Sequence, residues 1–253
     1  MTLSRIFLIA FSIFIFQGDL LAQDASELLK KMDDLMLAPK DKQATVQILL
    51  DGKNDKDKER MAEMKQKGRD YRLYRYTMPE KQAGTATLSL PGDVMWLYLP
   101  AFGKATRITL LAKSQAFTGT DFSYEDMEAK PFSDRYTPKL LQTTASSYIL
   151  ELTPIDDKSK YTKIILTLNK DHFYPEQMDF YDKGANPFKT AVYKYKKGNP
   201  YWYAEEVTMT DFKKEHSTTI IMTNVLFDQG IPDEVFSVDS LAIPKEKKDK
   251  EKE

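Results

Sequence analysis

Between residues 43 and 226 the chain reads as a succession of short extended runs, each closed by Gly, Pro, Asn or Asp. This punctuation predicts strands over 43–51, 59–67, 69–78, 84–90, 93–99, 104–110, 147–153, 161–168, 174–181, 188–197, 201–210 and 216–226. Strands that follow one another so directly form an antiparallel meander. A sheet built from that many of them must curve strongly or close into a barrel.

The strand near Met178 and Phe180 alternates against Gln177 and Asp179, so one face is dry and the other wet. Tyr193 and Tyr195 share a face, as do Tyr203, Val207 and Met209, while strict alternation sends Trp202 the other way. Helical periodicity is confined to the segment before Pro39, where Leu28, Leu29, Met32, Leu35 and Met36 fall on one stripe. Ser26 is the expected N-cap and Pro39 the stop.

Residues 1–22 read as a cleavable export signal, with Arg5 as the basic start, Ile6 to Phe16 as the apolar stretch and Leu20-Leu21-Ala22 before the cut. The apolar stretch is well short of the roughly 20 residues that span a bilayer. The chain has no cysteine, which excludes disulfides and a lipid anchor on a leading cysteine. The remaining residues 23–243 are expected to form one domain, at a size where roughly 70% of the unfolded surface can be buried. The tail 244–253 carries mixed charge without an apolar residue and is expected to be disordered. With 37 basic against 38 acidic residues, no field steers the protein onto nucleic acid. A soluble monomer in the periplasm is the expectation.

Every side chain from Val94 to Leu99 is apolar or aromatic, so both faces of that strand must be covered. One face belongs to the core, and an apolar cavity accounts for the other. The stretch that follows, Leu110, Leu111, Ala112, Phe117 and Phe122, interrupts the strands. Apolar loops need cover, which places this insertion across the mouth of the cavity. Ser123 and Asp126 have the spacing of a cap for a short helical turn. The cavity and lid groups expected are Leu88, Leu90, Trp96, Tyr98, Phe117 and Phe122, with Met95, Leu97 and Leu99 taking the places of Trp96 and Tyr98 if the parity falls the other way. Arg107, at the end of the aromatic strand, holds the lid or a lipid head group, or is a solvated strand-end arginine.

Catalytic chemistry finds little support. Asp121, Glu125 and Asp126 are close enough to serve as an acid and base pair, but as caps and as ion-pair partners of Arg107 and Lys113 they need no further role. His172 and His216 lack the neighbours of a triad or a zinc site. No nucleophile elbow, phosphate-binding glycine loop or HExxH helix occurs. No cofactor and no enzymatic activity are expected.

Four segments in order, RLYRYTMPEKQAGTATL, DVMWLYLPAFGKATRI, FTGTDFSYEDM and IPDEVFSVDSL, resemble the outer-membrane lipoprotein-sorting proteins, relatives of the LolA-like periplasmic lipoprotein carriers. The loop departs slightly, reading FTGTDF where FMGSDF or similar is expected. The resemblance implies an α+β, mainly β fold: a strongly curved, incompletely closed antiparallel half-barrel with short helices covering an apolar cavity. It implies a carrier that takes lipid or lipoprotein acyl chains from an inner-membrane exporter towards an outer-membrane acceptor. An accessory subunit of an export complex that carries nothing is the alternative, and a periplasmic hydrolase of lipids or envelope polymers a third.

Overall fold

A computed structural model describes residues 24–53, 58–109, 111–157, 159–184 and 186–242. The export signal read at 1–22, Leu110 and the charged tail at 244–253 lie outside those residues. The first element is a helix, α1 (Ala25–Met36), whose Leu28, Leu29 and Met32 are buried along one stripe. Its N-cap is Asp24 rather than Ser26. The Asp24 carboxylate accepts the Ser26 N–H at 2.8 Å, and a negative charge there also suits the positive end of the helix dipole.

The strands are β1 (Asp41–Asp51), β2 (Glu59–Lys67), β3 (Tyr71–Met78), β4 (Ala86–Leu90), β5 (Val94–Leu99), β6 (Lys104–Ile108), β7 (Tyr136–Thr143), β8 (Ser147–Pro154), β9 (Lys163–Asn169), β10 (Pro175–Tyr181), β11 (Pro187–Lys197), β12 (Trp202–Asp211) and β13 (His216–Phe227). They form one 13-stranded antiparallel sheet in the order β6-β5-β4-β3-β2-β1-β13-β12-β11-β10-β9-β8-β7. The meander runs out from β1 to the edge at β6, crosses through residues 109–135 to the opposite edge at β7, and returns to β13. Pairing of β13 with β1 joins the two arms. The edges β6 and β7 are not paired with each other, so the barrel stays open. Strand β7 is the one that turn punctuation does not predict, because Pro138 lies inside it; an edge position, paired only with β8, tolerates the missing N–H.

The sheet must curl, because strands far apart in its order contribute to one core. Tyr74 and Tyr76 of β3, Leu150 and Leu152 of β8, and the buried stripe of α1 belong to a single apolar cluster with Phe117 and Phe122 of the crossing segment. In a flat sheet, at roughly 5 Å per strand, β3 and β8 would lie tens of ångströms apart. A second, smaller cluster sits on the outer face of β3–β5. There Leu73, Ala86, Leu88 and Tyr98 are covered by Ile231, Phe236 and Leu241 of the segment after β13. Arg75 ties that segment down, donating to the carbonyls of Ser240 at 2.8 Å and Leu241 at 3.0 Å.

Candidate ligand cavity

Directly opposed residues of an antiparallel sheet share a face. Across β1, β2 and β3 the register sets Lys42 against Gln66 and Gln66 against Arg72. The next rung on that face is Ala44, Met64 and Tyr74, so the concave wall changes from cationic to apolar within one step. On the other arm, Tyr193 of β11 opposes Val207 of β12, which opposes Ile220 of β13. These two walls, Met36 and Leu37 at the end of α1, and part of the crossing segment from Phe122 to Arg135 enclose a cavity of about 180 Å³.

The crossing segment is fastened to both arms. From β2, Arg60 donates to the Thr118 carbonyl at 2.6 Å, and the Tyr76 hydroxyl of β3 bonds that of Thr118. From the far arm, Thr218 donates to the Asp121 carboxylate at 2.7 Å, His216 meets the same oxygen at 2.5 Å, and the Lys189 ammonium donates to the Asp121 carbonyl. Burial pulls the Lys189 pKa down to about 8. Asp126 accepts from both the N–H and the hydroxyl of Ser123 and from the Tyr161 hydroxyl, while the Ser123 oxygen accepts the Asp126 N–H. The expected reciprocal cap is therefore present, on a turn rather than a full helix. Glu125 accepts from Ser159 at 2.6 Å and from the Lys160 N–H at 3.2 Å.

The polar end of the cavity has more positive charge than it has partners. Arg72 donates to the carbonyl of Glu128 at 3.1 Å and to the Gln66 side chain at 3.2 Å, yet its Nε is buried without a partner. The Lys42 ammonium forms no hydrogen bond or ion pair with any described residue. Burial first, and the Arg72 charge second, lower its pKa to about 7. The Tyr195 hydroxyl also lines the cavity, buried and without a partner, and burial raises its pKa. The carboxylates nearby are committed elsewhere: Asp33 accepts the N–H groups of Phe132 and Ser133 at 3.0 and 2.7 Å, and Glu128 pairs with Lys113 at 2.6 Å.

Of the groups singled out in the sequence, Phe122 lines the cavity. Phe117 is buried in the core, edge-on to Tyr74 and Tyr124 at 5.8 and 5.4 Å. Leu88, Leu90, Trp96 and Tyr98 point to the outer face and pack in the smaller cluster. Their places on the concave side are taken by Met95 and Leu97, which join the main core. The reason is the closing segment: it supplies the apolar cover on the outer face that a cavity was invoked to provide. Arg107, opposite Trp96 on the edge strand β6, is exposed and away from the cavity. Neither Arg107 nor Lys113 pairs with Asp121, Glu125 or Asp126 among the described residues, since Lys113 is taken by Glu128. His216, by contrast, does have a carboxylate neighbour in Asp121, whereas the His172 ring packs tilted against Trp202 at 4.9 Å. Among the described residues no group of three or more His, Cys, Asp or Glu side chains is placed to hold a metal. Trp202 lines the cavity because a bulge between Ala204 and Glu206 shifts the parity of β12 and puts Trp202 and Ala204 on the face of Val207. Lys42 and Arg72 escaped the sequence reading. The one available signal was the alternation in YRLYRY, which puts Arg72 with Tyr74 and Tyr76 on the concave face.

An open antiparallel half-barrel, plugged by the segment that links its two edges and lined by one helix, is the LolA-like fold. The putative outer membrane lipoprotein-sorting protein domain from Vibrio parahaemolyticus is 28% identical, with a TM-score of 0.79 over 87% of this chain and 98% of that one. A DUF1329 family protein from Desulfovibrio piger is 24% identical, with a TM-score of 0.80 over 86% of this chain and 97% of its own. The LolA superfamily protein from Nitrosomonas europaea, 23% identical over 85% of this chain and 98% of its own, has a TM-score of 0.73. No curated protein matches the sequence. A family model described as an uncharacterized protein matches residues 68–242, and the chain belongs to that family, DUF1329.

Proposed function

We propose that this protein is a periplasmic carrier that holds lipid, or the acyl chains of lipoproteins, and moves them from an inner-membrane exporter towards the outer membrane. The observation that carries the reading is the cavity on the concave face, walled by Met64, Met222, Val207, Ile220 and tyrosine rings. The likeness to a domain named for lipoprotein sorting supports it. Each buried CH₂ is worth about 0.8 kcal/mol, so an acyl chain crosses water only inside such a shelter. The cavity, about 180 Å³, is smaller than the ~300–1,000 Å³ of sites that engulf a small ligand. A chain therefore enters by displacing side chains, and methionine is the side chain best suited to be displaced.

Native mass spectrometry of the exported chain, before and after organic extraction, tests the reading. Lipid-mass adducts that extraction removes, and that Met222→Glu reduces in a folded protein, are expected. A mass free of adducts that stays so after incubation with vesicles or lipopeptides overturns the carrier and leaves the accessory subunit.

A further inference from the structure

We infer that the cavity selects amphiphiles with an anionic oxyacid head group, the head seated between Lys42 and Arg72 and the chain lying along Met64 and Tyr74. This rests on the carrier reading above and adds the chemical class of the cargo.

Three observations converge. The first is placement: Lys42, Gln66 and Arg72 form one cross-strand rung, and the neighbouring rung of Ala44, Met64 and Tyr74 is apolar. A charged row next to a greasy one on one continuous wall matches the two ends of an amphiphile. The second is the unmet hydrogen-bonding capacity. The Lys42 ammonium has no partner among the described residues, and the Arg72 Nε and Tyr195 hydroxyl are buried donors without acceptors. Most buried donors in a folded protein are satisfied, so unmet donors lining one cavity point to an acceptor that comes from outside the chain.

The third observation is that the local carboxylates do not answer the charge. Asp33 is spent on two backbone N–H groups, Asp126 on Ser123 and Tyr161, and Glu128 on Lys113. Of the other cations lining the cavity, Lys130 pairs with Asp93 at 3.0 Å, and Arg135, whose Nε is also buried without a partner, has Tyr136, Glu128, Glu125 and Asp126 to offset its burial. Burial first, and the Arg72 charge second, weaken the Lys42 ammonium, and Arg72 is itself weakened by burial and by the Arg135 charge. Two cations set together in a partly dry site repel unless an anion comes between them, and phosphate or carboxylate oxygens are strong acceptors for both.

Calorimetric titration of the exported chain with palmitate, palmitoyl lysophosphatidate and palmitoylglycerol tests this, because the three share one chain and differ in the head group. Lys42→Met is the informative variant, since the Lys42 ammonium holds no hydrogen bond or ion pair with a described residue. The two anionic ligands should bind about tenfold or more tightly than palmitoylglycerol, the effect of one charge-assisted hydrogen bond. Lys42→Met should abolish that preference. Comparing palmitate with lysophosphatidate separates a carboxylate from a phosphate head. Equal affinity for charged and neutral ligands, or a preference that survives Lys42→Met, overturns the inference while the carrier reading stands. Failure of all three to bind overturns both.

Discussion

Burial beside Arg72 brings the Lys42 ammonium to a pKa of about 7, against 10.5 for the free side chain. The unfolded chain therefore holds more protons than the folded one between those values, and this group's contribution to stability rises with pH across that window. Lys42→Met should make the protein more stable than the parent near neutral pH, with the gap closing as pH climbs towards about 10. Urea denaturation of both proteins near pH 6 and near pH 9 reads the difference. A second residue-scale expectation concerns the ion pair of Lys113 and Glu128, each about 9% exposed. Glu128→Gln leaves an uncompensated ammonium and should cost about 3–5 kcal/mol, whereas Lys113→Met with Glu128→Leu should be close to neutral. Thermal melts of the single and double variants distinguish the two outcomes. At this scale the sequence was least legible: nothing local to Lys42 announces that Arg72, on a strand two places away, will share its rung.

The segment that crosses the open face has only short 3₁₀ turns, Leu111–Ser114, Phe117–Gly119 and Phe132–Asp134, and its stability comes from what it touches. Phe117 is 1% exposed among three tyrosine rings. Phe117→Ala should therefore cost about 3–5 kcal/mol and speed hydrogen exchange of the amides between Phe117 and Met127 more than those of β8 or β9. The closing segment makes a separate prediction. Removing residues 231–253 uncovers Leu88, Trp96 and Tyr98, so Trp96 emission should shift to the red in a Trp202→Phe background. Elements were well legible where turn residues bound them, as for β9 and β10, because Gly, Pro, Asn and Asp set backbone angles locally. Which face of β5 looks inward was not, since both faces are apolar and only the distant residues Ile231, Phe236 and Leu241 decide the matter. The β12 bulge defeated alternation in the same way: it is fixed by pairing with β11, not by the residues of β12 alone.

For the whole molecule, the governing feature is the order in which the chain visits the sheet. It begins at the centre with β1 and reaches β1's second neighbour only with β13, so that Thr45 lies beside Asn224, 179 positions further along. Time enters here. While the protein is being made, one flank of β1 waits for a partner that is the last strand to emerge. Val46, Ile48 and Leu50, buried in the finished sheet, stand next to an unpaired backbone edge during that wait. Contacts so distant in sequence are also slow to form. Refolding followed by Trp202 should trail the burst of backbone structure, and a fragment ending at residue 109 should self-associate in analytical ultracentrifugation where the full chain does not. The first arm must be shielded until the second arrives, so the late closure of the central seam makes the unfinished chain a client for chaperones that hold exposed strand edges.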